Sequence, residues 1–219
     1  MKGAIYLSHP FANDTPLYGG AKNIHIESQS SIQEGHTANS KILSFPNHAG
    51  THVDVPYHFL EDGKKLTDYD ASYWIFNKPQ LIDVPGEDGY LVTYDDISGK
   101  LNDETDLLLI RTGYETFRSN PKYWQSNPGL SADLAEGLRT NYQNIRALGV
   151  DVISITSRLH REEGRKAHRE FLSGNYASEP TVLIEDMSLL NLTYGISQVI
   201  VLPLMIAGAD GAPCTIIAI

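Results

Sequence analysis

The feature that most constrains this chain is the run His-Ala-Gly-Thr-His-Val-Asp-Val-Pro-Tyr-His at residues 48–58. Thr51, Val53 and Val55 are β-branched, and Gly50 and Pro56 oppose a helix, so the run is expected to be extended. In a strand, residues two apart share a face. His52 and Asp54 therefore point the same way, with Cα atoms about 7 Å apart, and can meet on one ion. His48 lies too far along a straight strand, and Gly50 supplies the bend that would bring it back. Pro56 ends the strand, so His58 should stand to one side, near the ion but not necessarily on it.

The run thus predicts a ligand set of His48, His52 and Asp54. Two imidazoles and a carboxylate suit Zn, Mn or Fe with positions left open for water. Such an ion activates water near neutral pH, which makes hydrolysis the natural reaction class. A displaced histidine, with an ordinary pKa of about 6.5, is suited to shuttle protons, and this is the role expected of His58. A polar edge strand with surface histidines is the plainer alternative. Four ligand-type residues in this pattern weigh against it.

Strand-like runs surround the segment, at residues 4–8, 40–45, 51–55, 80–84, 106–111, 150–155, 181–184, 198–206 and 214–219. Two stretches read as helices. Residues 131–148 open at Ser131 as an N-cap and close at Gly149, with Leu134, Leu138, Tyr142 and Ile145 on one face. Residues 161–172 form the second. Residues 119–129 read as a long loop, and residues 208–213 as a hairpin or loop with no Lys to hold a phosphate. Many strands with two helices in no strict βαβ order indicate an α+β fold. No repeat or linker divides residues 1–219, so one domain is expected.

Charge and cysteine content narrow the partners. With 17 Lys+Arg against 27 Asp+Glu the formal net charge is −10, which opposes nucleic acid or an anionic membrane surface as partner. The lone cysteine, Cys214, excludes a Cys-rich metal site and fits a reducing compartment. The apolar stretch at residues 199–207 contains Pro203 and is about half a bilayer span, and the apolar run within residues 1–7 is too short for a secretory leader. The expectation is a cytoplasmic protein with no membrane or nucleic-acid partner.

Residues 48–59, His-Ala-Gly-Thr-His-Val-Asp-Val-Pro-Tyr-His-Phe, resemble the signature of the cyclase family of metal-dependent hydrolases, which includes bacterial kynurenine formamidase and isatin hydrolase. The likeness extends over most of the chain. It implies the swivelling β/β/α fold and a homodimer or homotetramer. It also implies that His48, His52 and Asp54 hold one metal, that Asp54 bridges to a second, and that His58 gives and takes the proton. Ala167-His168 matches a helical Ala-His pair whose His binds the second metal. Ile184-Glu185-Asp186 matches a strand ending in a bridging Glu.

The resemblance also has departures. Residues 173–180 lengthen the gap between His168 and Glu185, leaving Glu179 and Asp186 as competing acids and His160 as the competing histidine. The apolar run before Glu185 places it first at the strand's end and favours it over Asp186. Tyr18 stands where formamidases carry a substrate-contacting Trp, and Val55 where they commonly carry Ala. Tyr57, Phe59, Trp74, Phe45 and Tyr114 could wall a pocket, although aromatic residues more often fill cores. Arg111, Arg161 and Arg165 could meet a substrate carboxylate, but pairing with acids such as Glu162 and Glu163 is the favoured reading.

Together these expectations describe a metal-dependent hydrolase that cleaves a C–N bond in an amide, formamide or cyclic amide. It would use one or two divalent ions, Zn before Mn or Fe, on a small aromatic or cyclic substrate. Opening of a lactone or cyclic imide, or a dehydration, on the same ions is the alternative within enzymes. A non-catalytic metal- or ligand-binding module of the same fold is the alternative outside them. Candidates for all five ligands and for the shuttle count against that module.

Overall fold

The computed structural model describes residues 3–193 and 195–219. Met1 and Lys2, at the start of the segment read as too short for a leader, and Tyr194 lie outside the described residues. The strands are β1 (Ile5–Tyr6), β2 (His25–Ser30), β3 (Ser40–Ser44), β4 (His52–Asp54), β5 (Ile75–Phe76), β6 (Pro79–Asp83), β7 (Leu91–Val92), β8 (Leu107–Arg111), β9 (Gly129–Leu130), β10 (Ala147–Val150), β11 (Val182–Glu185), β12 (Val199–Pro203) and β13 (Gly211–Ala218). The α-helices are α1 (Tyr94–Ile97), α2 (Lys122–Gln125), α3 (Ala132–Asn141) and α4 (Arg161–Leu172).

One mixed sheet carries the fold, in the order β5-β12-β13-β4-β11-β10-β8-β6, with β1 added on β13. Strands β6, β8, β10 and β11 run parallel. They are apolar on both faces, as strands covered on both sides must be. Leu108, Ile110, Leu148 and Leu183 point into one core with Leu134 and Leu138 of α3 and Ala167 and Phe171 of α4. The alternate residues Leu107, Leu109, Ala147 and Ile184 point into a second core on the other face. The arrangement is the strand-rich α+β architecture expected from the sequence.

The site is positioned by β4. This strand is antiparallel to β11 on one side and to β13 on the other, so it marks the change from the parallel half of the sheet to the antiparallel half. The register sets His52 opposite both Glu185 and Pro213, and Asp54 opposite both Leu183 and Gly211.

Several expectations need correction. Ser131 caps α3, its Oγ accepting from Leu134 N at 3.4 Å, but the helix ends at Asn141 rather than at residue 148. Tyr142 and Ile145 share a face with the helix only because both reach the same core from the turn that follows. Ala147–Val150 is instead taken up by β8 and β11, and Gly149 lies inside that strand rather than at a helix cap. Residues 151–155 form a buried loop, not a continuation of the strand, with Val152, Ile153 and Ile155 inside the core. Its backbone is satisfied from outside the sheet, for example by Asp186 N donating to Val152 O at 2.8 Å. Residues 119–129 contain α2, and Gly211 to Pro213 belong to β13 rather than to a loop.

Candidate active site

Gly50 turns the chain into β4 with a φ of 63°, the bend that His48 requires. After β4, Pro56–His58 makes a single turn of 3-10 helix that carries His58 back beside the strand. His168 arrives from the buried face of α4, and Glu185 closes β11. His48, His52, Asp54, His58, His168, Glu185 and Tyr18 all line one cavity of about 330 Å³. Gly211 lets this happen: a Cβ there would lie 2.4 Å from Val53 O and 2.7 Å from His48 Cε1.

The buried part of the cluster is built from acceptors. His52 Nδ1 donates to Gly50 O at 2.8 Å, which leaves the lone pair on Nε2. That atom lies 3.4 Å from Asp54 Oδ1 and 3.4 Å from Glu185 Oε2. His168 Nδ1 donates to Gly164 O at 2.9 Å, with Thr156 Oγ1 at 3.1 Å. Its Nε2 lies 3.5 Å from Glu185 Oε1 and 3.8 Å from Asp54 Oδ2. Glu185 Oε1 is itself held by Ile155 N at 2.7 Å and Ser154 Oγ at 3.0 Å. His48 Nδ1 lies 2.7 Å from Asp54 Oδ1.

Lone pairs do not gather on carboxylates in a dry interior unless a cation lies among them. Protons can serve. Burial pulls the His52 pKa down, but Asp54 and Glu185 outweigh it and raise it to about 9. Burial also opposes charge on His168, and the same two acids again raise it to about 9. Burial and Asp54 both disfavour the Glu185 carboxylate, yet His168 and His52 hold its pKa at about 2. A divalent ion does the same work more directly, and the imidazole–carboxylate donor set fits one. One ligand atom each from His52, Asp54 and Glu185 lie within 4.8 Å of one another, as do those of His48, Asp54 and His58. Asp54 belongs to both groups, and Glu185 and Asp54 both face His52 and His168.

The competing residues are accounted for elsewhere. Asp186 turns to the opposite side with a φ of 53°, is gripped by Arg118 Nε at 2.8 Å and Nη2 at 2.6 Å, and accepts from Tyr123 Oη at 2.6 Å. Glu179 is exposed and pairs with Lys64 at 3.2 Å, and His160 is the residue before α4. Arg111 forks onto Asp83 at 2.6 and 3.0 Å, away from the cavity. Arg165 pairs with Glu162 at 2.6 Å while lining the cavity, and Arg161 lines it too.

The cavity walls are Phe59, stacked on His168 at 4.8 Å, and Tyr18. Tyr18 Oη is buried with no hydrogen-bond partner among the described residues. Trp74 and Tyr114 are core residues, and Phe45 borders a different cavity.

Two contributors were missed. Asp210 lies 2.7 Å from His58 Nδ1 and 2.9 Å from His48 Nε2, and Asn47 supports it. The only signal was an acid inside Gly-Ala-Asp-Gly-Ala-Pro, just before an apolar strand. A turn acid has many ordinary reasons to exist.

A sheet that changes direction at β4, with a His/Asp/Glu cluster under a small cavity, defines the class: an enzyme-like α+β scaffold built round a cluster that could hold a metal ion. The model of the family described as "Putative cyclase" matches residues 5–157, and the chain belongs to this Cyclase family. Among curated proteins, a kynurenine formamidase of Bacillus cereus is 29% identical over 209 residues, covering 95% of this chain and 93% of its own. Among solved structures, isatin hydrolase A of Labrenzia aggregata superposes with a TM-score of 0.81 at 20% identity, over 99% of this chain and 93% of that one. A potential metal-dependent hydrolase with cyclase activity gives 0.77 at 21% identity, over 99% and 96%. These two show the same fold.

Proposed function

We propose that this chain is a metal-dependent hydrolase that cleaves the C–N bond of a small amide, formamide or cyclic amide. The observation that carries the reading is the convergence of His48, His52 and His168 on Asp54 and Glu185 beneath a cavity of about 330 Å³, with His58 alongside. The kynurenine formamidase and isatin hydrolase relatives support the reaction class.

His48, His52, Asp54, His168 and Glu185 would hold one or two divalent ions, for which zinc suits this mixture of imidazole and carboxylate. Such an ion would supply Lewis acidity toward a carbonyl and would lower the pKa of water. The rest is supplied by side chains. His58 accepts a proton in the cavity and returns it to the departing nitrogen. Phe59 excludes bulk water beside His168, and the Tyr18 hydroxyl orients substrate.

Reducing surroundings, as in the cytoplasm, fit the single buried Cys214. Among the described residues no helix is long and apolar enough to cross a membrane. Exposed Ile42, Leu43, Leu202 and Leu204 suit a homo-oligomer.

The reading is tested by loading the protein with zinc and assaying N-formylkynurenine and isatin. Hydrolysis of either, abolished by chelation and by Asp54→Asn, is the expected result. A zinc-loaded protein inert toward a panel of formamides, amides and cyclic amides would overturn it.

A further inference from the structure

The geometry points to Asp210 as a positioning residue that sets the proton placement of both His58 and His48, and so couples the metal cluster to the proton shuttle. The inference rests on the reading of His58 as that shuttle.

Asp210 is fixed before it touches either ring. Its Oδ1 accepts from Asn47 Nδ2 at 2.7 Å, and Asn47 also donates to Gly211 O at 3.2 Å. Its carbonyl accepts from Val55 N at 3.0 Å, which ties the turn ahead of β13 to the end of β4. The remaining oxygen, Oδ2, meets His58 Nδ1 at 2.7 Å and His48 Nε2 at 2.9 Å. The two rings lie 4.2 Å apart between centroids.

An ionised carboxylate only accepts, so each nitrogen facing Oδ2 carries its proton. In a neutral imidazole the lone pair then sits on the other nitrogen. For His58 that is Nε2, the atom left to take a proton in the cavity. For His48 it is Nδ1, which faces Asp54 Oδ1 at 2.7 Å and would offer that lone pair once an ion takes the place of the proton between them. A single carboxylate thus assigns one histidine to the metal cluster and the other to proton transfer. This is the carboxylate–histidine support that ligating imidazoles generally need, shared here with a non-ligating neighbour.

The test uses zinc-loaded protein as wild type, Asp210→Asn, Asp210→Ala, His58→Ala and the Asp210→Ala/His58→Ala double variant. The nearly isosteric Asn variant guards against a fold defect in the Ala variant, with thermal melts of each. Long-range ¹H–¹⁵N correlation reads the imidazole tautomers without any substrate. The expected result is His58 protonated on Nδ1 in the wild type and a mixture in both Asp210 variants, with zinc affinity lowered about tenfold through His48. In turnover of N-formylkynurenine or isatin, Asp210→Ala lowers kcat about 10- to 100-fold with KM little changed, and adds nothing once His58 is Ala. A His58 tautomer indifferent to both substitutions overturns the inference, as does unchanged zinc affinity. An equal loss from Asp210→Ala with and without His58 also overturns it, while the shuttle reading stands. A fully active His58→Ala removes the shuttle reading, and the coupling with it.

Discussion

His52, Asp54, His168 and Glu185 are 5%, 1%, 3% and 3% exposed, whereas the side chains of His48, His58 and Asp210 keep 24%, 29% and 30% of their surface. The two groups share the same residue chemistry and sit within one cavity, yet they are held differently. The buried group is fixed by backbone: Gly50 O and Gly164 O orient the imidazoles, and Ile155 N orients Glu185. The open group is held by side chains, with Asp210 between two rings and Asn47 behind it. Dry, rigid acceptors need a positive charge among them, from a proton or an ion, while a partly wet histidine can trade protons with water. Burial therefore sets His52 and His168 apart from His58, while His48, as open as His58, is turned to the cluster by its 2.7 Å contact with Asp54.

The largest effect should come from breaking the buried group. Asp54→Asn removes the carboxylate that His48, His52 and His168 all face, and activity should fall to the uncatalysed rate with metal lost. An Asp54→Asn protein that keeps both would show that the buried group is structural. Breaking the open group should behave differently. His58→Ala should keep its metal yet lower kcat by about 10²–10⁴, the usual worth of a positioned acid–base group. Loss of metal in that variant would instead make His58 a ligand and erase the division.

A third expectation sharpens the contrast through pH. In the metal-free protein His52 and His168 titrate near 9 when folded and near 6.5 when unfolded. Stabilisation from their charge is therefore complete below pH 6.5 and is lost as pH rises through 9. Thermal melts of the metal-free protein should fall over that window, by about 2–4 °C for each kcal/mol lost, and zinc-loaded protein should be flatter. A metal-free melting temperature that rises from pH 6.5 to 9 would contradict the cluster's electrostatics. The smallest effect concerns the wall. Tyr18→Phe should raise KM about 2- to 10-fold, since one net hydrogen bond is worth about 0.5–1.5 kcal/mol. An unchanged KM would leave the buried hydroxyl without a ligand to serve.

Much of the site was legible because strand parity is a local rule. His52 and Asp54 share a side from a period of two, and the bend for His48 needed only Gly50. His168 was not legible from its own helix, where Arg165 and Arg169 suggest a solvated surface; its burial depends on α4 docking against the sheet. Asp210 was still harder to see, because its contact with His48 spans 162 positions and no local pattern encodes it. The helix read through residue 148 failed for a related reason. Tyr142 and Ile145 mimic helical spacing, but Ala147–Val150 finds partners on both sides only once β8 and β11 are in place. Local period cannot register that competition.

On the proposed function the buried group holds a divalent ion. Elemental analysis of protein purified without chelator tests it most directly. One or two equivalents of zinc, or of manganese or iron, per chain, lost in His52→Ala and retained in His58→Ala, is the predicted result. A wild-type protein that carries no metal and takes up none on reconstitution would contradict the claim, leaving the cluster as a buried salt network held together by protons.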